Sequence, residues 1–276
     1  MATQTQTLPA SRTTHVTAGF TPAVSLWWRE IVRFYRNRGR VFGVILSPLL
    51  FWLVIGSGFG TSFQSSGPGG QSHYLEYFFP GAVTMIVLFT AIFAMMSVIE
   101  DRKEGFLLSV LVAPVHRSVI VLGKVLGGAT LAAVQGLVFL AFTPFLKGAH
   151  LGIDNVLPII ATVFLISFSL TALGFAIAWP MDSTQAFHAI VNLFLLPLWL
   201  LSGALFPISG ASGWIRVIMR ANPMTYGNEA LRALLFPGTT SLLPVSTSIA
   251  VLAAFAAVMF IWAFAMANRR STKPAA

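Results

Sequence analysis

The chain has no cysteine, and charged residues make up only 9% of its 276 positions. With no thiol, disulfides, thiolate nucleophiles and cysteine metal sites are excluded, whatever the compartment. The charged fraction lies far below the roughly 25% of an ordinary soluble domain, and hydrophobic residues reach 56%. Together these exclude a water-soluble globule and indicate a polytopic membrane protein. Phosphate cradles are lacking as well. Gly56, Gly58 and Gly60 do not have the GxGxxG spacing or its strand context, and no GxxxxGK[ST] occurs. ATP hydrolysis of the P-loop kind is therefore excluded for this chain. The five histidines, His15, His73, His116, His150 and His188, lie too far apart to suggest a metal site.

Six long apolar runs are present, at 41–59, 79–99, 120–146, 156–180, 186–206 and 245–267. Each approaches the roughly 20 residues that cross a hydrocarbon core of about 30 Å. None contains Asp or Glu, and none alternates as a barrel strand must, so the class is all-α with six transmembrane helices. The net charge of +9 would suit nucleic acid, but the basic residues flank apolar runs, where positive-inside topology accounts for them and no nucleic-acid partner is expected. Thirteen Lys and Arg fall on the side of the N-terminus and four on the other. Both termini are therefore expected in the cytoplasm. Residues 1–20 are polar and Ser/Thr-rich, with no secretory leader pattern. A disordered tail is expected there, with the first span as insertion signal, and 268–276 is expected to form a basic cytoplasmic tail.

Residues 21–40, TPAVSLWWREIVRFYRNRGR, begin with a Thr cap and a Pro at the first helical position. Helical spacing places Val24, Trp27, Trp28, Ile31 and Tyr35 on one face and Arg29, Arg33 and Arg36 opposite. The expectation is an amphipathic helix in the membrane interface, with its arginines toward anionic lipid. The loop at 60–78 is Gly- and Ser-rich and reads as a flexible connection. Gly123 and Gly127 form a GxxxG, and with Gly128, Ala132, Ala133 and Gly136 they make a small-residue face suited to packing within the chain. Between the last two spans, 208–243 is too apolar for a simple loop, and Asn222-Pro223 marks a helix start. Two short re-entrant helices are expected there, with any non-helical backbone shielded by protein or a wet cavity.

The densest mixed-charge cluster is Glu100, Asp101, Arg102, Lys103 and Glu104, followed by Gly105 and the apolar run 106–112 up to Pro114. A plain reversal of the chain does not require such an apolar face, whereas a docking loop does.

Two other chemistries fit the sequence less well. Gly210-Ala211-Ser212-Gly213 resembles the GxSG nucleophile motif of rhomboid intramembrane proteases, but a serine nucleophile needs a base and no histidine follows His188. An ion-coupled transporter normally keeps ionisable groups inside its spans. Here only Lys124 and His188, near span ends, qualify. The driving force is therefore expected to come from outside the chain.

The passage YLEYFFPGAVTMIVLFTAIFAMMSVIEDRKEGFLLSVLVAPVHRSVIVLGKVLG, with the later LSGALFPISGASGWIRVIMRANPMTYGNEALRALL, resembles the ABC-2 type permeases related to daunorubicin-resistance and nodulation-factor exporters. The resemblance implies a six-span permease in a prokaryotic inner membrane, working as a homodimer. It also implies a separate ABC ATPase partner that binds ATP and Mg, the permease itself holding no cofactor. It further implies that Glu100, Asp101, Arg102, Glu104, Gly105, Pro114 and Arg117 belong to the ATPase-coupling loop. Trp27, Trp28, Arg29, Arg33 and Arg36 then belong to the interfacial helix. Within the loop, Phe106, Leu107, Val110 and Leu111 are expected to form an apolar ridge seated on the ATPase. Phe89, Phe93, Phe194 and Trp199 are expected to line a path for an amphipathic or lipid-linked substrate. A non-transporting membrane scaffold stays open as the alternative.

Overall fold

The computed structural model describes residues 21–36, 38–59, 74–112, 116–238 and 244–268. The expected N-terminal tail, most of the Gly/Ser-rich loop, Pro114 and the basic tail from 269 onward lie outside the described residues. Among the described residues, every regular element is helical: α1 (Thr21–Arg36), α2 (Arg38–Phe59), α3 (Tyr74–Ala94), α4 (Met96–Lys103), α5 (Phe106–Val112), α6 (Arg117–Leu140), α7 (Ile153–Ala178), α8 (Thr184–Trp199), α9 (Gly213–Ala221), α10 (Pro223–Leu235) and α11 (Val245–Asn268). The interfacial helix expected over 21–40 thus closes at Arg36, and Arg38 opens α2.

Five helical stretches among these residues are long and apolar enough to cross a membrane: Tyr74–Lys103, Arg117–Phe145, Ile153–Ala178, Thr184–Ala204 and Val245–Asn268. Six were expected. α2 is 22 residues long, but it opens with Arg38 and Arg40, and its apolar stretch proper is Pro48–Gly58.

α3 lies at the centre. Of its apolar window 83% is buried, against 17% for α11, so α3 is core and α11 is rim. Phe78, Phe79, Val83, Ile86, Val87 and Ile92 are wholly enclosed by α2, α6, α7 and α10. At Met95 the ladder tightens to i→i+3 bonds, Met95 N–H to Ile92 O and Val98 N–H to Met95 O, each 3.0 Å. The chain then continues as α4, so α3 and α4 form a nearly continuous rod of 30 residues. At a rise of 1.5 Å per residue that rod is about 45 Å long, longer than the hydrocarbon core.

Close packing follows from the small-residue face of α6, as expected. A methyl at Gly123 would lie 2.8 Å from the Ala23 carbonyl oxygen and 2.9 Å from Leu26 Cβ of α1. Gly127 meets Glu30 in the same way, Gly128 meets Met95 and Thr171, and Gly136 meets Val87. The glycines let backbones approach where apolar burial gives little drive between helices in lipid. α1 is therefore seated on α6 by an apolar edge of Ala23, Leu26 and Phe34, with the Trp27 indole donating to Thr130 Oγ1 at 3.1 Å.

Gly123→Ala should lower the stability of the detergent-solubilised chain by roughly 1–3 kcal/mol, because the blocking atom is backbone. Gly43→Ala meets nothing within 4 Å and should leave the thermal midpoint unchanged; equal midpoints for both variants would refute the close seating of α1.

Candidate functional site

Asp101, at the end of the α3–α4 rod, has no solvent exposure. A carboxylate buried in this way is tolerable only when paired and hydrogen-bonded. Arg29 grips it with both arms, Nη1 to Oδ2 at 2.9 Å and Nη2 to Oδ1 at 2.7 Å. Arg33, one turn on, donates to Oδ1 at 2.8 Å and to Glu100 Oε2 at 2.7 Å. From α6, Lys124 Nζ donates to Asp101 Oδ2, to Glu30 Oε1 at 2.5 Å and to Ser97 Oγ at 3.2 Å. Three cations, Arg29, Arg33 and Lys124, thus face three carboxylates, Glu30, Asp101 and Glu100. The cluster is charge-balanced, and it joins α1, α4 and α6. Hydrogen bonding to Asp101 raises Arg29 further above its ordinary range, overcoming the opposing effect of burial.

The same arginine reaches α5. Its guanidinium lies 3.7 Å from the centre of the Phe106 ring, a cation–π contact. The turn into α5 is made by Gly105, whose φ of 75° is a left-handed conformation that a side chain would strain. Leu107 then packs on Leu26 and Ile120, with Val110 and Trp179 beside them. Arg102 ties the rod to the turn after α7, donating to Met181 O at 3.0 Å, to Asp182 Oδ1 at 3.2 Å and to the Trp179 carbonyl. Arg117 donates to Ala267 O at 2.7 Å and so satisfies a free carbonyl at the end of α11.

Several expectations are corrected here. Arg29 and Arg33 do not turn to lipid; each is half-buried against Asp101, and only Arg36 is exposed. Two members of the expected α5 ridge turn onto the chain itself: Leu107 is buried on α1 and α6, and Phe106 lies under Arg29. What α4, α5 and their flanks present outward is Lys103, Glu104, Ser109, Val112 and His116. The side chain of Leu111 lies outside the described residues. The four aromatic path residues are not brought together. Phe89 and Phe93 stack at 5.8 Å, and Phe93 lies 4.9 Å from His188. Phe194 is 63% exposed, but Trp199 is sealed in the core against Phe51 and Phe78, its indole donating to Gly81 O at 2.9 Å.

A second polar centre, at the other end of the rod, was missed in the sequence. After α8 the helix widens over Leu200–Ala204 and unwinds, with Leu201 and Gly203 outside helical geometry and Gly203 at φ 75°. Side chains satisfy the carbonyls this exposes. Asn222 Nδ2 donates to Leu198 O and Leu201 O, at 2.6 and 3.0 Å. Asn228 Nδ2 donates to Ser202 O at 3.1 Å. Gly203 O accepts from the Tyr77 hydroxyl at 2.8 Å and from Arg232 at 2.9 Å, and Leu205 O accepts from Tyr74 at 3.0 Å. Arg232 pairs with Glu229 at 2.5 Å and lies 4.2 Å from the centre of the Tyr77 ring. Between α9 and α10, where shielding of re-entrant backbone was expected, Met219 O accepts from Thr225 Oγ1 at 2.6 Å and Arg220 O from the Tyr226 hydroxyl at 2.8 Å. Ser212 begins α9 as its N-cap residue, its carbonyl accepting from Arg216 N–H at 2.9 Å, which accounts for the GxSG turn structurally.

A family model described as ABC-2 type transporter matches residues 22–236. The chain belongs to the ABC-2 transporter family. Among the relatives of this ABC-2 chain, the putative transport permease ycf38 of Cyanophora paradoxa is 27% identical over 75% of the chain and 71% of the relative. The daunorubicin resistance ABC transporter permease protein DrrB1 of Streptomyces coeruleorubidus is 26% identical over 84% and 80%. The probable doxorubicin resistance ABC transporter permease protein DrrC of Mycobacterium tuberculosis is 26% identical over 76% and 75%. The matched span of the ABC-2 model takes in both polar centres, from α1 to the end of α10.

Lys124→Met leaves Glu30 and Asp101 buried with one cation fewer. A loss of roughly 3–5 kcal/mol is expected, with partial recovery in the double variant Glu30→Gln, Lys124→Met. A thermal double-mutant cycle in detergent checks this; strict additivity of the two changes would show that the pair does not interact.

Proposed function

We propose that the chain is the membrane subunit of an ATP-driven exporter that moves an amphipathic substrate out of the cytoplasm or inner leaflet. Two copies work with two copies of a separate ABC ATPase, which binds ATP and Mg. The observation that carries this reading is the ion cluster at Asp101. It makes α1, α4, α5 and α6 one rigid block, so a push delivered at Lys103, Glu104 or Val112 reaches the α3–α4 rod without dissipating in a flexible loop. Rigid-body transmission between two states needs such a block. With both termini in the cytoplasm and α2 as sixth span, the block faces the ATPase from the inner side of a prokaryotic plasma membrane. The drug-resistance names of two relatives support an amphipathic drug-like cargo; a lipid-linked saccharide is the neighbouring reading.

The pairing of copies draws on α8. Gln185, His188 and Asn192, at positions i, i+3 and i+7, are exposed on this apolar helix together with Leu193 and Phe194. An amide facing hydrocarbon is costly, so this face suits a second copy and a path between the copies better than lipid. Phe89, Phe93 and Phe194 remain assigned to that path, and Trp199 is withdrawn from it. A membrane scaffold that transports nothing would not need an outward-facing charged turn on a rigid mount.

Glu100→Ala with Glu104→Ala should leave membrane insertion intact and abolish substrate-stimulated ATPase activity in the assembled complex; full stimulated turnover would remove the coupling role. Because the chain has no native cysteine, Asn192→Cys can be oxidised without background. A disulfide-linked dimer is expected on a gel, whereas Val258→Cys on the exposed face of α11 should give none.

A further inference from the structure

The outward side of α1 holds a groove of about 510 Å³ that the coupling reading leaves unused. It is lined by Trp28, Val32, Arg29, Arg33, Arg36 and Glu104. Along the same side runs a second apolar edge, Val24, Trp28, Val32 and Tyr35, spaced by one helical turn and exposed at 56%, 58%, 37% and 49%. α1 thus has one apolar edge on the protein and another away from it, with guanidinium groups between them.

Among the described residues, one guanidinium in the groove lacks a close ion partner. Arg29 and Arg33 are engaged by Asp101 and Glu100 on the inner side. Arg36 makes no ion pair among the described residues. The single carboxylate at the rim, Glu104, stands 3.7 Å from Arg33, beyond hydrogen-bond length, and is 61% exposed. The groove therefore offers room, a guanidinium without a close ion partner and an adjoining apolar edge. A phosphate carried on acyl chains matches all three, since the phosphate meets Arg36 while the chains cover Trp28 and Val32. An acidic protein segment would match the charge and leave the apolar edge in water.

We infer that this groove binds the phosphate headgroup of an anionic phospholipid, which displaces Glu104 from Arg33. The site then tunes the α4–α5 turn: with lipid bound, Glu104 is released from α1, and Gly105 is where the turn yields. The inference rests on the chain lying in a membrane and is independent of the export reading.

The test uses the full chain in nanodiscs of phosphatidylcholine. A tail-brominated lipid, either phosphatidylglycerol or phosphatidylcholine, is added at equal mole fraction. Trp28 emission is isolated from that of the other six of the seven tryptophans by difference against Trp28→Phe. Brominated phosphatidylglycerol should quench Trp28 at roughly fivefold lower mole fraction than brominated phosphatidylcholine, the preference one basic side chain confers at a membrane surface. Arg36→Gln should erase that preference, and Glu104→Gln should strengthen it. Equal quenching by the two lipids, a preference indifferent to both substitutions, or its loss on adding inorganic phosphate would overturn the inference; the last outcome would assign the groove to a free anion.

Discussion

One buried carboxylate sets the arrangement of α1, α4 and α6. Asp101 sits near the α4 end of the α3–α4 rod, and it is held by Arg29, Arg33 and Lys124 from two other helices. None of these groups could be buried alone, since an unpaired charge in a low-dielectric site costs several kcal/mol. The cluster therefore forms as a unit or not at all. Its net strength need not be large, because a buried ion network of this kind serves register more than stability. It fixes the rotation of α1 about its own axis, which the glycines of α6 allow but do not specify.

The apolar runs, the start at Asn222-Pro223 and the small-residue face of α6 were legible in the sequence because each depends on local composition or helical period. The seating of α1 was not. Helical spacing alone put Val24, Trp27, Trp28, Ile31 and Tyr35 on one face and the arginines on the other, whereas Trp27 donates to Thr130 on α6. The apolar edge that docks on α6 instead runs through Ala23, Leu26 and Phe34 and includes Glu30. Glu30 was the available signal: an acid at helical spacing among apolar positions asks for a buried partner. Lys124, flanked by Gly123 and Gly127, was the matching one. Leu107 was misassigned for a similar reason, since an apolar ridge reads the same whether it docks on a partner or on its own chain.

The second polar centre illustrates a different limit. Glu229 and Arg232 lie three residues apart in a segment read as re-entrant, and nothing local says that Tyr77, some 150 residues earlier, shares the acceptor of Arg232. Yet the two centres are related through the rod. Tyr77 stands near one end of it and Asp101 near the other, 24 residues and about 36 Å apart at the helical rise. One end meets the charged turn, and the other meets the unwound segment after α8. Membership of the ABC-2 family matches a device with two such ends.

The unwound segment after α8 differs from an ordinary helix in how it can rearrange. In a continuous helix, shifting one carbonyl means breaking a ladder bond whose neighbours depend on it. Here the carbonyls of Leu198, Leu201, Ser202, Gly203 and Leu205 accept from side chains of α3 and of the stretch around α10. Partners of this kind can be exchanged one at a time. Displacement of the rod would thus be met by a succession of small steps, giving a shallow, many-stepped barrier at the Tyr77 end and a single steep one at Asp101.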